Sequence, residues 1–143
     1  MNIELIDENN FLKNDYKSSL IKIAKRILHI LKLPKNTELC ISIISDVEMR
    51  KLNNDYRGIK RTTDVLSFPQ DIIHDLNMLG DVVISYDTAI RHSELYEITL
   101  HNELKKLLVH SILHLTGYNH KKKKEKIEMF AKEKEILELI KDL

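Results

Sequence analysis

The stretch His110-Ser111-Ile112-Leu113-His114-Leu115-Thr116-Gly117-Tyr118-Asn119-His120 constrains this chain more than any other. Its first half is an apolar, helix-forming run in which His110 and His114 stand at i and i+4. Residues so spaced share one face of a helix, about 5–6 Å apart at Cβ. Gly117 is the residue type that ends a helix, because it enters the left-handed region without a Cβ clash. The chain can then turn back and bring His120 to the same point. Three neutral imidazoles converging from a helix and its exit turn make a tripod for one divalent metal, with a coordination position left open.

Length and composition set the scale of the fold around that tripod. The 143 residues fit one domain, expected over residues 1–143, with enough chain for a real hydrophobic core. Apolar residues make up 43% and charged residues 31%, the balance of a folded, water-soluble protein. No apolar run approaches the ~20 residues of a membrane span, and the first residues lack the basic and apolar regions of a secretory signal. The lone Cys40 excludes an internal disulfide and lies in an apolar, strand-like run, which predicts a buried thiol. These features together predict a cytoplasmic protein. The net charge of +1 does not mark the whole molecule as a polyanion binder. Locally, however, Arg57, Lys60, Arg61 and the run from Lys121 to Lys124 are basic, and Lys121 directly follows the third histidine.

The order of elements follows from periodicity and punctuation. Ile3 and Leu5 alternate with polar neighbours as a short first strand. Tyr16, Leu20, Ile23, Ala24, Ile27 and Leu31 recur at helical spacing until Pro34 closes the helix. Residues 38–44 read as a largely buried strand. Ser45 and Glu48 form a capping box for a helix running to Tyr56 and ended by Gly58. Residues 63–69 form a strand stopped by Pro69. A polar loop leads, past Gly80, to a fourth strand over 81–85. Asp87 is expected to cap a short helix to Leu95. A helix from Leu100 to Thr116 carries two of the histidines. The last helix, 121–140, is expected to bury Ile127, Phe130, Ala131 and Leu137. The order β-α-β-α-β-β-α-α-α predicts an α+β fold with about five helices on a four-stranded mixed sheet.

Three histidines with an open position form the ligand set of hydrolytic zinc sites, where the metal lowers the pKa of its water to about 7. The spacing overlays the metzincin peptidase pattern H-E-x-x-H-x-x-G-x-x-H. Where that pattern has its glutamate base, this chain has Ser111, and serine is no base at neutral pH without activation. Metal-assisted hydrolysis of another kind is the better reading. Phosphodiester cleavage needs a cation beside the metal, since negative charge builds on the phosphoryl oxygens. Arg57, between Tyr56 and Gly58, is the candidate, because its fork can take a phosphate bidentately. Glu103 lies on the stripe of His110 and could orient it, but reads better as a surface charge. His29, His74, His92 and His101 have no partners at ligand spacing and read as structural or surface residues.

Three blocks resemble one family closely. They are Leu52-Asn53-x-x-Tyr56-Arg57-Gly58 running into residues 63–69, then Leu79-Gly80-Asp81-Val82-Val83-Ile84-Ser85, and the histidine block. With Met129 and Glu133 near the end, they follow the order of the YbeY-type rRNA maturation factors, single-domain metal-dependent endoribonucleases of bacteria. The resemblance implies a zincin-like α+β fold and one Zn2+ held by His110, His114 and His120. It also implies an arginine, at the position of Arg57, that matters for activity. The implied task is cleavage of single-stranded RNA in 16S rRNA 3′-end maturation and ribosome quality control. The implied partners are the small ribosomal subunit and its assembly factors, with neither membrane nor DNA. Two positions depart from the pattern. Ser111 stands where the family usually has glycine, and Asn119 where it usually has aspartate, so a charge beside the last histidine is lost. Two other readings compete with the nuclease: an assembly factor whose zinc is mainly structural, and a peptidase-like hydrolase.

Overall fold

The computed structural model describes residues 1–70 and 77–143; His74, read above as structural or surface, lies outside the described residues. Nine elements follow one another: β1 (Asn2–Ile6), α1 (Asn14–Ile30), β2 (Glu38–Ile44), α2 (Asp46–Arg57), β3 (Val65–Pro69), β4 (Met78–Ser85), α3 (Tyr86–Leu95), α4 (Leu100–Leu115) and α5 (Lys123–Leu139). The strands form one mixed sheet in the order β1-β2-β4-β3. β1 and β4 run parallel to β2, and β3 pairs antiparallel with β4. This is the expected α+β fold, with four strands and five helices.

Strand alternation sorts the sheet into two cores. Leu39, Ile41 and Ile43 of β2, with Val82 and Ile84 of β4, join the main cluster together with α1 and α4. Val83, the residue between those two on β4, instead joins Met49 of α2 and Leu66 of β3 in a smaller cluster. The sheet is therefore covered on both faces. α1 contributes Leu20, Ile23, Ala24, Ile27 and Leu28, an i, i+3, i+4, i+7, i+8 stripe that is wholly buried. Each such leucine or isoleucine contributes about 1.5–3 kcal/mol by leaving water. α4 is buried almost all round, which makes it the central helix and fixes its position rigidly. Beyond its first turn, only one stripe of it, Lys106, His110 and His114, is partly open to solvent.

Several boundaries differ from the sequence expectations. Ser85, not Asp87, caps α3, its hydroxyl accepting from Thr88 N. Asp87 reaches across to α2 instead and accepts from Asp46 N at 2.9 Å. β3 starts at Val65, because Asn53 of α2 ties the preceding loop down through a 2.8 Å bond to Arg61 O. β4 starts earlier than expected, at Met78, and Gly80 lies inside it beside a bulge opposite Glu38 and Leu39. A Cβ at Gly80 would lie 2.9 Å from Leu115 Cδ2 and closer still to the Phe68 carbonyl, so only glycine lets the strand approach α4 there.

α5 turns a different face inward than expected. Ile127 and Phe130 are 60% and 61% exposed, and Ala131 is exposed as well. Met129 and Ile136, with Ile140 just beyond the helix, make the buried stripe, and Leu137 flanks it. Apolar residues occur on every side of this helix, so periodicity alone offers no single face. Glu133 lies along the inward stripe and reaches His110. Cys40 is buried as expected; burial and the nearby Asp81 carboxylate push its thiol pKa up.

Candidate metal centre

The end of α4 is closed by a paired turn. Tyr118 N donates to Leu113 O at 3.0 Å and Gly117 N to His114 O at 3.1 Å, the two bonds of a Schellman motif. Gly117 sits at φ +105° with nothing within 4 Å of where a Cβ would be, so backbone conformation alone demands glycine. Asn119 then bends the chain, its Oδ1 accepting from Lys121 N at 3.2 Å. An aspartate would accept the same bond, so the turn survives the change of residue.

His120 is thereby brought back to the two helical histidines. Ring centroids are 4.7 Å apart for His110 and His114, 4.9 Å for His114 and His120, and 5.9 Å for His110 and His120. One ring nitrogen from each lies within 4.8 Å of the other two. Burial first, then the neighbouring His110 and His120, push the His114 pKa down. His114 is thus held neutral, the form in which imidazole binds a metal. Glu133 of α5 places Oε1 2.6 Å from His110 Nδ1. That contact occupies one nitrogen of His110 and leaves Nε2 free to face the other rings. Three imidazoles, one oriented by a carboxylate, match the donor set that zinc prefers.

The histidines open onto a cleft of about 690 Å³. Arg57 lines it from the end of α2, Asp64 and Ser67 from around β3, and Lys106 from α4. Beside Arg57, Tyr56 is 69% exposed and packs edge-on against Phe68 with centroids 5.2 Å apart. Lys60, Arg61 and the lysines from Lys121 to Lys124 are exposed and stand outside the cleft lining. Ser111, in the position of a peptidase's base, is fully buried with an unpartnered hydroxyl and does not line the cleft.

Two expectations about lone residues are overturned. Glu103 is not a surface charge: it is 1% exposed, and it faces His92 and Lys106 rather than His110. His92 is not isolated either, since its Nδ1 lies 3.6 Å from Asp64 Oδ2 and 3.8 Å from Glu103 Oε1. Neither grouping is visible in sequence spacing, because the three residues come from a loop and two different helices. His101 is structural, its Nε2 meeting Leu143 O at 2.7 Å.

A family model described as Endoribonuclease YbeY matches residues 2–141. The chain belongs to the YbeY family. Its relatives include an Endoribonuclease YbeY of Sulfurihydrogenibium sp., 41% identical over 85% of this chain and 80% of that protein. Another, from Lacticaseibacillus casei, is 35% identical over 96% of this chain and 95% of its own length. A Thermotoga maritima protein solved in solution superposes with a TM-score of 0.62, covering 95% of this chain and 87% of that one at 28% identity. The YbeY membership accounts for the motif blocks noted in the sequence, all of which meet here: two flank the β3–β4 pairing and the third is the histidine turn. Among the described residues no helix is long and apolar enough to cross a membrane.

Proposed function

We propose that this chain is a single-domain, zinc-dependent endoribonuclease that cuts single-stranded RNA in the 3′-end maturation of 16S rRNA. The observation that carries the reading is the convergence of His110, His114 and His120 on one open cleft that Arg57 also lines. In it the three histidines hold one Zn2+. Bound there, the ion would polarise a phosphate oxygen and acidify water to near neutral pH. Glu133 keeps His110 in the tautomer that offers Nε2 inward. Arg57 binds the scissile phosphate bidentately and stabilises charge as it grows on the phosphoryl oxygens. Tyr56 offers an exposed ring on which a base beside that phosphate can stack. Lys60, Arg61 and Lys121 to Lys124 contact the backbone of the RNA outside the cleft, which makes binding weaken as salt rises. The RNA is cut in the cytoplasm, with the small ribosomal subunit and its assembly factors as partners.

Metal analysis joined to cleavage of single-stranded rRNA fragments tests the reading. The wild type is expected to carry one zinc per chain and to cut; His114→Ala is expected to lose both properties, and Arg57→Ala only the cutting. Metal-free wild type, or undiminished cleavage by both variants, would overturn it. The two rivals are disfavoured by particular residues. A purely structural zinc would be enclosed, whereas His120 is exposed and the cleft is open. A peptidase would need a base in the position of Ser111, whose hydroxyl is sealed in the core.

A further inference from the structure

Asp64, His92 and Glu103 converge beside the histidine cleft, and we propose that they form a second, separate site for a divalent transition-metal ion such as Mn2+. One ligand atom from each lies within 4.8 Å of the others. The separations themselves carry information. His92 Nδ1 is 3.6 Å from Asp64 Oδ2 and 3.8 Å from Glu103 Oε1, too long for hydrogen bonds. Around an ion with bonds of about 2.1 Å, neighbouring ligand atoms stand about 3.0 Å apart at right angles and about 3.4 Å apart at tetrahedral angles. The cluster is therefore too wide for a hydrogen-bonded triad and would need to close by a few tenths of an ångström around an ion.

Glu103 supplies the second, independent observation. It is 1% exposed, and neither carboxylate oxygen has a hydrogen-bond partner among the described residues. A carboxylate that is buried and unpartnered is strongly disfavoured unless a cation compensates it. Lys106 does part of this, with Nζ 3.1 Å from Oε2 but outside hydrogen-bonding geometry. The same ammonium also sits 4.4 Å over the Tyr96 ring, which holds it on the outer side of Glu103. Oε1, on the side of His92, is left without a positive partner. Two carboxylates against one ammonium leave one negative charge uncompensated, which a divalent ion between Asp64, His92 and Glu103 would meet.

The donor set selects the class of ion. Two carboxylate oxygens suit hard cations such as manganese, and the imidazole turns the preference from calcium or magnesium towards a transition metal, of which Mn2+ is the one that carboxylates suit. Asp64 and His92 are each 31% exposed at the side chain, so an ion can enter from solvent. Asp64 also lines the cleft of the three histidines, so the two sites share a wall. Ion binding at Asp64, His92 and Glu103 is independent of RNA cleavage.

The test is Mn2+ binding to chelator-treated His114→Ala/His120→Ala protein, followed by loss of the free-manganese EPR signal and by thermal melting. One equivalent is expected to bind and to raise Tm, and adding Asp64→Asn or His92→Gln is expected to weaken binding at least tenfold and abolish the shift. Wild type preloaded with one zinc, titrated with manganese, provides the same measurement should the double variant not fold; one further equivalent sensitive to Asp64→Asn is expected. No manganese bound in either protein, or binding indifferent to Asp64→Asn, would overturn the proposal.

Discussion

Glu133 and His110, 23 residues apart in sequence, meet at 2.6 Å between Oε1 and Nδ1. The contact ties α5 to α4 at the point where His110, His114 and His120 gather. A carboxylate in this place holds the imidazole ring at one angle and makes its other nitrogen a better donor. It therefore couples the packing of the closing helix to the chemistry of the cleft.

Replacing that carboxylate should loosen the metal without unfolding the chain. Glu133→Gln keeps the shape and a hydrogen bond but loses the charge, and zinc affinity is expected to fall about 10–100-fold. Competition with a zinc chelator measures this, with circular dichroism as a check on the fold. An unchanged affinity would mean that Glu133 only packs against the ring.

A second prediction concerns Asp46, far from the metal in its role. Its carboxylate accepts from Ser85 Oγ and Thr88 Oγ1, both at 2.6 Å, from Thr62 Oγ1 at 3.0 Å and from Arg91 Nη1 at 2.7 Å. Burial alone would raise its pKa, but Arg91 and the three hydroxyls outweigh that and hold it well below the usual carboxylate range. Asp46→Asn is expected to cost roughly 2 kcal/mol, on the scale of bonds to a charged group. The sign with pH follows from the depressed value. The stability Asp46 contributes is complete above about pH 4–5, where the carboxyl is ionised even in the unfolded chain. It is lost as pH falls below about 4 towards the lower folded value. Thermal melts from pH 6 to pH 2 should show a steeper acid loss in wild type than in Asp46→Asn; parallel curves would contradict the assignment.

The tripod was legible in sequence because its chemistry is local. His110, His114, Gly117 and His120 lie within one helix end, where 3.6-residue periodicity and the needs of a left-handed turn fix the outcome. The strand and helix order was legible for the same reason, each element carrying its own period and its own stop. What sequence spacing hides is contact between elements. Glu133 lies in an ordinary charged helix, and only the packing of α5 aims it at His110. Glu103 looked like a surface charge because glutamate is rarely buried, and only the fold of α3 against α4 brings His92 to it. The inward face of α5 was misread because the helix has apolar residues all round. Asp87 was misread as a local cap because its partner, Asp46 N, is 41 residues away.

Ser111 yields a prediction in which two opposing effects can be weighed. Its hydroxyl is fully buried and unpartnered in the middle of α4. Removing an unsatisfied buried hydroxyl relieves about 1–3 kcal/mol, and alanine is also the better helix former. Ser111→Ala is therefore expected to raise stability. Ser111→Gly removes the same hydroxyl but gives back about 1 kcal/mol through glycine's poor helix propensity, so it should fall below the alanine variant. Urea melts will rank the three. Zinc content should be the same in all of them, because the hydroxyl does not line the cleft.

Arg57 separates charge from geometry in the proposed reaction. It lines the cleft of the three histidines from the end of α2, just before Gly58 turns the chain at φ +67°. A fork placed there should act on charge that develops during cleavage more than on the bound RNA. Arg57→Ala is then expected to lower kcat about 10²–10³-fold, the scale of losing one preorganised donor to a growing anion. RNA affinity should drop only a few-fold, since the exposed lysines still contact the backbone. Arg57→Lys keeps the charge but loses the two parallel donors, so it should recover RNA affinity while leaving kcat at least tenfold down. Single-turnover cleavage at fixed salt, with zinc content measured alongside, distinguishes these outcomes. Equal kcat in all three proteins would remove Arg57 from the reaction and leave it a phosphate-binding residue only.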